Sequence, residues 1–453
     1  MKRFLALCLL GCGALPAQQT PGATDLPGDP FFVKKTWVIG GIGNWDYLTM
    51  DPVARQLFIA HGSVVQVVDV ETGTLAGQVT GLRGARAIAL DDAGQFGYVS
   101  DGPAGQVKVF DRHTFALVAA IPTGPAPRAL VFDPQNRLLF AVCTAPVTET
   151  QAQPSANRLA TPPNSAASAG VRNGLQRTAA GGEIRSSVTV IDAETRQPLG
   201  EILMPGRLGF AQTDGHGQIF INIMSRNQVA RLDAQSIAAL LGRRADRVAA
   251  AQTAVAQAAA AHPAPAQPNP AHPNPAPSGP AKQTAAPQVL DWSHESSQPN
   301  SADSRLLFFQ LGPACLEPSA LAVDGGHQRL FVACNNRTMA VLNADTGELV
   351  ASLPTGPGTE AIGYDAGRGL IYAANGGANG SLTIVRQDVT DTYAVIQNLP
   401  TRQRARTLAV NTATGEVYLV TDLLGVNLAE PGGIGTLKTA PMSGSFQVLA
   451  VGH

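Results

Sequence analysis

The stretch MDPVARQLFIAHGSVVQVVDVETG, residues 50–73, alternates short strands with turns. Asp51-Pro52 closes one strand, and Leu57–Ala60 is an apolar run. Gly62 breaks that run, Val64–Val68 is a second one, and Asp69-x-x-Thr-Gly ends it. Branched and aromatic residues between Asp, Pro and Gly punctuation read as β-strands joined by tight turns. A lone hairpin cannot bury its own apolar face. The pattern must therefore recur, or something else must cover it.

It recurs. Aligned on the residue that ends the first short strand, the copies are DYLTMD (Asp51), RAIALD (Asp91), RALVFD (Asp133), GFAQTD (Asp214), SALAVD (Asp324), EAIGYD (Asp365) and RTLAVN (Asn411). An aromatic follows seven residues later in six copies, at Phe58, Tyr98, Phe140, Phe331, Tyr372 and Tyr418, and six residues later at Phe220 in the fourth. A third strand follows, as in QVKVFD or SVTVID, and a fourth runs into a turn, as in AAIPTGPAP. Four short strands per ~40–45 residues is the arithmetic of a β-propeller blade, whose two apolar faces are covered by its neighbours. A sandwich does not need seven equivalent units, and a solenoid needs special caps.

The predicted fold is thus an all-β, seven-bladed β-propeller over residues 31–453. The seventh copy stops one strand short, and FFVKKTWVIGG, from Phe31, precedes the first copy with no partner of its own. The sequence predicts that this N-terminal strand completes the C-terminal blade, a closure that removes two open sheet edges. Two low-complexity insertions interrupt the repeat. Residues 147–187 are rich in Ser, Thr, Ala, Asn and Gly and are expected to be flexible. Residues 241–304 carry Ala-rich sequence and then the Pro-rich AHPAPAQPNPAHPNPAPSGP, an extended linker. The Ala-rich stretch from Ser236 to Ala261 reads as a helix with Ile237, Leu240, Leu241 and Val248 on one face.

Composition bounds the function. The 453 residues carry a net charge of -1, only 5% aromatics, 47 Gly and 33 Pro. Such a chain is turn-rich, and its neutral balance argues against a protein built to grip nucleic acid or an anionic membrane. MKRFLALCLLGCGALPA, residues 1–17, has a basic start, an apolar stretch and a small-residue exit. It reads as a signal peptide followed by a linker at 18–30, which makes the protein exported, periplasmic or extracellular. Lipidation at Cys12 is the lesser alternative. No later segment has ~18 uninterrupted apolar residues, so no membrane span is expected. Three cysteines remain after cleavage; Cys315 and Cys334 are the natural disulfide pair and Cys143 is left over.

In a propeller the first strands line the central channel. Five residues before each anchor stand Asp46, Arg86, Arg128, Gly209, Ser319, Glu360 and Arg406. Ends of second strands add His61, Asp101, Cys143, Asn222, Asn335, Asn375 and Asp422 at the same upper mouth. Three arginines with two carboxylates suit an anionic or hydrogen-bonding ligand. The candidate binding residues are Arg86, Arg128, Arg406, Asp46, Glu360, Asn335 and Asn375. The competing reading is that the acids merely neutralise the arginines and hold blades together. His61 beside Asp46 is a conceivable metal ligand, but no second channel His and no close-spaced ligand motif accompany it. No catalytic motif, metal site or cofactor is expected.

The stretches VVQVVDVETG, SVTVIDAETR, CLEPSALAVDGGHQRLFVACNN, MAVLNADTGELVASLPTGPGTEAIGYD and RARTLAVNTATGEVYL resemble the YVTN-type repeat propellers, in particular the exported bacterial YncE-like group. The resemblance spans most of the chain from Phe31, outside the insertions. It implies the propeller fold, export and a binding or scaffold role. The group usually has an acid where Gly209 stands, so the mouth ring departs from its pattern there. Related folds include lactonases, which keeps a metal-dependent hydrolase using Asp46, Glu360 and His61 as an alternative; a cell-envelope scaffold is another. The reading is a monomeric, non-catalytic propeller that binds a small polar or anionic ligand or a protein partner.

Overall fold

The computed structural model describes residues 29–144, 185–242, 288–292, 305–377, 379–388, 391–426 and 439–453. The expected signal peptide, most of the following linker and the bulk of both insertions lie outside them.

Seven sheets of four antiparallel strands, one of them with an added fifth, are arranged about an axis. Blade one shows the plan: Trp45–Asp51 innermost, then Gln56–His61, Val64–Asp69 and Thr74–Val79 outermost. The innermost strands of the other blades are Ala85–Leu90, Pro127–Asp133, Leu208–Thr213, Pro318–Asp324, Thr359–Asp365 and Leu408–Asn411. Neighbouring inner strands lie side by side, and the last lies against the first, so the circle is closed.

The anchors explain the repeat's spelling. Each anchor side chain turns back to accept backbone N–H groups of the turn that follows. Asp51 takes those of Val53 and Ala54, Asp91 those of Gln95 and Phe96, and Asp214 those of His216 and Gln218. Asp133, Asp324, Asp365 and Asn411 do the same. An Asp or Asn suits the position because a short side-chain acceptor can turn back onto the N–H groups two to five residues along its own chain. Asp69, Asp111, Asp192 and Asn343 repeat the device after the third strands. The seven periodic aromatics are all buried, and they fill the spaces between blades.

The terminal closure is as expected. Phe32–Val38 pairs antiparallel with Gln447–Gly452, with Trp37 opposite Val448, and becomes the outermost strand of the seventh blade. Phe31, buried, exchanges two hydrogen bonds with the Gln397 side chain of blade six, at 2.9 and 2.8 Å. Lys34 pairs with Glu416 at 3.0 Å.

The structure corrects the reading of the insertions in two places, the strands at 185–192 and 288–291, and bears out the start of the helix. Arg185–Asp192 is already strand, so the last residues assigned to the first insertion belong to blade three. The helix is described over 234–242, capped by Asp233, which accepts the Ser236 N–H at 2.8 Å. Ile237 and Leu241 are buried as expected, while Leu240 is half-buried. Gln288–Asp291, read as part of the extended linker, instead forms a fifth strand, parallel to Gln197–Pro205 on the outer edge of blade three. Its cause is backbone pairing to an open edge, which needs no alternating side-chain pattern.

Cys315 and Cys334 form a disulfide with Cα atoms 5.2 Å apart. The bridge ties the entry of blade five to the end of its second strand and is consistent with an exported protein. Cys143 is free and buried, and desolvation pushes its thiol up to about 12. Among the described residues no helix is long and apolar enough to cross a membrane.

Candidate functional site at the upper channel mouth

The mouth ring stands where the inner strands lose register. Pairing with the second strand slips between Trp45 and Leu48, Ala85 and Ile88, Pro127 and Ala129, Leu208 and Ala211, Pro318 and Ala320, and Thr359 and Ala361. Each slip encloses a ring position. A bulge re-aims side chains away from the regular pleat and is common at the rims of closed sheets.

The ring residues meet in pairs across adjacent blades. Arg86 Nη1 lies 3.3 Å from Asp46 Oδ2, between blades two and one. Arg406 Nε lies 3.0 Å from Glu360 Oε2, between blades seven and six. Ser319 donates its hydroxyl to the Thr359 carbonyl at 2.7 Å, linking blades five and six. Arg128 is exposed, and among the described residues it has neither ion pair nor hydrogen bond to its guanidinium. Its charge nevertheless acts on both Asp46 and Glu360. Burial raises both carboxyls above their ordinary values, and the surrounding arginines offset this only in part.

One residue deeper, Tyr47 of blade one and Phe210 of blade four bring their rings to 5.0 Å. Those blades are not neighbours in the circle, so the contact spans the channel and floors the charged mouth. Burial and the adjacent Asp46 push the Tyr47 hydroxyl up, so it stays protonated as a donor. Sequence reasoning missed this pair; the signal was available, since both residues follow a ring position.

A second group clamps the last blade to the first. The Arg404 guanidinium lies 4.8 Å from the centroid of the buried Trp45 ring and that of Arg406 lies 5.7 Å from it. Arg404 also reaches Asp422 at 3.4 Å.

The remaining candidates are placed elsewhere. Asn375 is fully buried, bonded through its amide to Thr359, Ser381 and Thr383. Asn335 is exposed and donates to Glu317 at 2.7 Å. His61 is buried, with Nδ1 2.8 Å from Gln66 Oε1 and Nε2 3.1 Å from the Gly43 carbonyl, so both ring nitrogens are engaged. Among the described residues no three His, Cys, Asp or Glu side chains gather as a metal site would require. His327, on the opposite face, hydrogen-bonds Asp324 at 2.8 Å.

This geometry defines a class of protein, a seven-bladed β-propeller with a charged upper mouth. Solved structures agree on the fold. The chain is similar to "Structure of U3-55K" (8% identity, TM-score 0.56, 91% of this chain and 97% of that one). It is similar also to "Crystal structure of RRP9 WD40 repeats" (8%, 0.56, 91% and 96%) and to a chain of "Crystal Structure of Mitotic Checkpoint Complex" (12%, 0.51, 92% and 95%). No family model and no curated protein matches this sequence. The likeness is one of fold, and fold alone does not fix function.

Proposed function

We propose that this is an exported, non-catalytic propeller, akin to the YVTN-type YncE-like group, that holds a small anionic ligand at its upper mouth. The observation that carries the reading is Arg128. Two of the three mouth arginines have acidic partners, and the third is exposed beside them with none among the described residues. At the seven ring positions three guanidinium groups stand against two carboxylates, over an aromatic floor. A guanidinium presents a planar fork of donors suited to an oxyanion. The engagement of both His61 nitrogens supports a binding role over metal-dependent hydrolysis.

Isothermal titration with benzoate and with inorganic phosphate, at low ionic strength, tests the reading. Binding should fall at least tenfold in Arg128→Ala, stay within twofold in His327→Ala on the opposite face, and weaken as salt is added. No binding of either anion, or equal loss in the two variants, would contradict it.

A further inference from the structure

Tyr47 carries a hydroxyl that the described chain does not use. Its ring packs against the apolar cluster that includes Ala87 of blade two and Leu130 of blade three, and it meets Phe210 of blade four at 5.0 Å. The ring therefore reaches from blade one beneath the arc of the mouth that carries Arg128. A phenylalanine, like Phe210 opposite, would serve that packing equally well. A tyrosine adds only the O–H, and a phenol drawn into a protein ordinarily finds an acceptor. Tyr364 donates to Asp324 at 2.9 Å, and Tyr418 donates to Glu416 at 2.8 Å. The Tyr47 hydroxyl has no hydrogen-bond partner among the described residues, although Asp46 is its neighbour in the chain. Nor is it sealed in: Tyr47 is half-buried, and solvent still reaches its oxygen.

The space it faces is the mouth. The charges that bear most on the hydroxyl are those of Asp46, Arg128, Glu360 and Arg406, which stand on four different blades around that opening. The opening is wet. The side chains of Arg86 and Glu360 are 43% and 52% exposed, and Arg128 is exposed. Asp46 and Glu360 are each matched with an arginine of the next blade. The ring positions after Arg128 are Gly209 and Ser319, which carry no charge, and the Ser319 hydroxyl is engaged by backbone carbonyls. Two donors are thus left over at one place, a guanidinium fork on the rim and a phenol O–H on the floor.

We propose that the Arg128 guanidinium and the Tyr47 hydroxyl hold one and the same oxyanion, Arg128 from the rim and Tyr47 from the floor. The proposal rests on the reading of the mouth as an anion site and says how the anion is recognised. A carboxylate or phosphate group has acceptor sites enough for a planar fork and a phenol at once. The directed O–H selects an oxygen acceptor, where a guanidinium by itself would attract any anion. Asp46 and Glu360 face the same space and oppose a negative guest, so a neutral donor beside the cation adds affinity without adding charge. The guest is an organic acid or phosphate, and the probes separate the two.

Calorimetric titration at low ionic strength with benzoate, and separately with inorganic phosphate, tests the proposal on wild type, Tyr47→Phe and Arg128→Ala. Tyr47→Phe keeps the ring and its contact with Phe210, so it should melt near wild type. It should weaken the anion that wild type binds by about tenfold, the usual effect of losing one hydrogen bond to a charged acceptor. In wild type, the Tyr47 Cζ and Arg128 Nε resonances should shift along one saturation curve as the anion is added. Binding of benzoate alone marks the guest as an organic acid, and binding of phosphate alone marks it as phosphate; either supports the shared site when Tyr47→Phe weakens it. If Tyr47→Phe binds as tightly as wild type while Arg128→Ala does not bind, the proposal is overturned and the anion reading stands. If Tyr47→Phe does not fold, the resonances carry the test. A Tyr47 Cζ signal that stays fixed while Arg128 Nε shifts overturns the shared site. If wild type binds neither probe, the proposal and the anion reading fall together.

Discussion

At the scale of single residues, the same acid does two different jobs in this chain. As an anchor, Asp51 or Asp214 folds back on its own turn and fixes the hairpin that follows. At the mouth, Asp46 is buried beside Arg86 with Arg128 and Arg406 near enough to act on it. Burial wins there, and the carboxyl is held above its ordinary value of 3.8. The folded protein therefore grips that proton more tightly than the unfolded chain does. Ionising Asp46 costs stability: nothing well below pH 3.8, and the full amount above its raised pKa. Asp46→Asn removes the titration. The melting temperature of the variant, relative to wild type, should rise as pH increases from the ordinary aspartate range toward neutrality. A difference that stays flat, or moves the other way, would contradict the burial argument.

At the scale of elements, strands made the chain readable. The anchors, the periodic aromatics and the spare strand at Phe31 were all legible because a blade repeats one local solution seven times. The Cys315–Cys334 bridge followed from two points that the blade plan places together. It closes a loop with a sequence separation of 19, and the double Ser variant should lose about 3 kcal/mol in denaturant unfolding on the chain-entropy model. An unchanged midpoint under oxidising conditions would count against the bridge. Gln288–Asp291 was not legible, because four residues pairing through backbone to an edge carry no side-chain periodicity. The pairings within the mouth were only partly legible. Register put Asp46, Arg86, Glu360 and Arg406 on one rim, but which meets which depends on bulges and side-chain reach. Asn375 reads the same as Asn335 in sequence, yet one is buried in its own blade and the other faces solvent. Tyr47 and Phe210 touch across the channel, a relation that exists only once all seven blades are in place.

At the scale of the whole molecule, closure makes the mouth a site. The first and last blades are joined by Phe32–Val38 against Gln447–Gly452, and at the mouth by Arg404 and Arg406 over Trp45. Only then do the arginines of blades two, three and seven face one space with the acids of blades one and six. The two faces of the disc are chemically different. The lower turns are tied by anchor acids, with Arg112 bridging Asp51 and Asp91, and Tyr364 and Gln387 both bonded to Asp324. At the upper mouth, Arg128 has no ion-pair partner among the described residues. The most direct measurement is hydrogen exchange followed by mass spectrometry across the chain, with and without saturating benzoate. Slower exchange should be confined to the upper starts of the inner strands, chiefly residues 124–129 and 206–210, with the lower turns and outer strands unchanged. Protection that appeared instead around residues 51–55 or 324–329, or along the outermost strands, would contradict a binding mouth at this end of the channel.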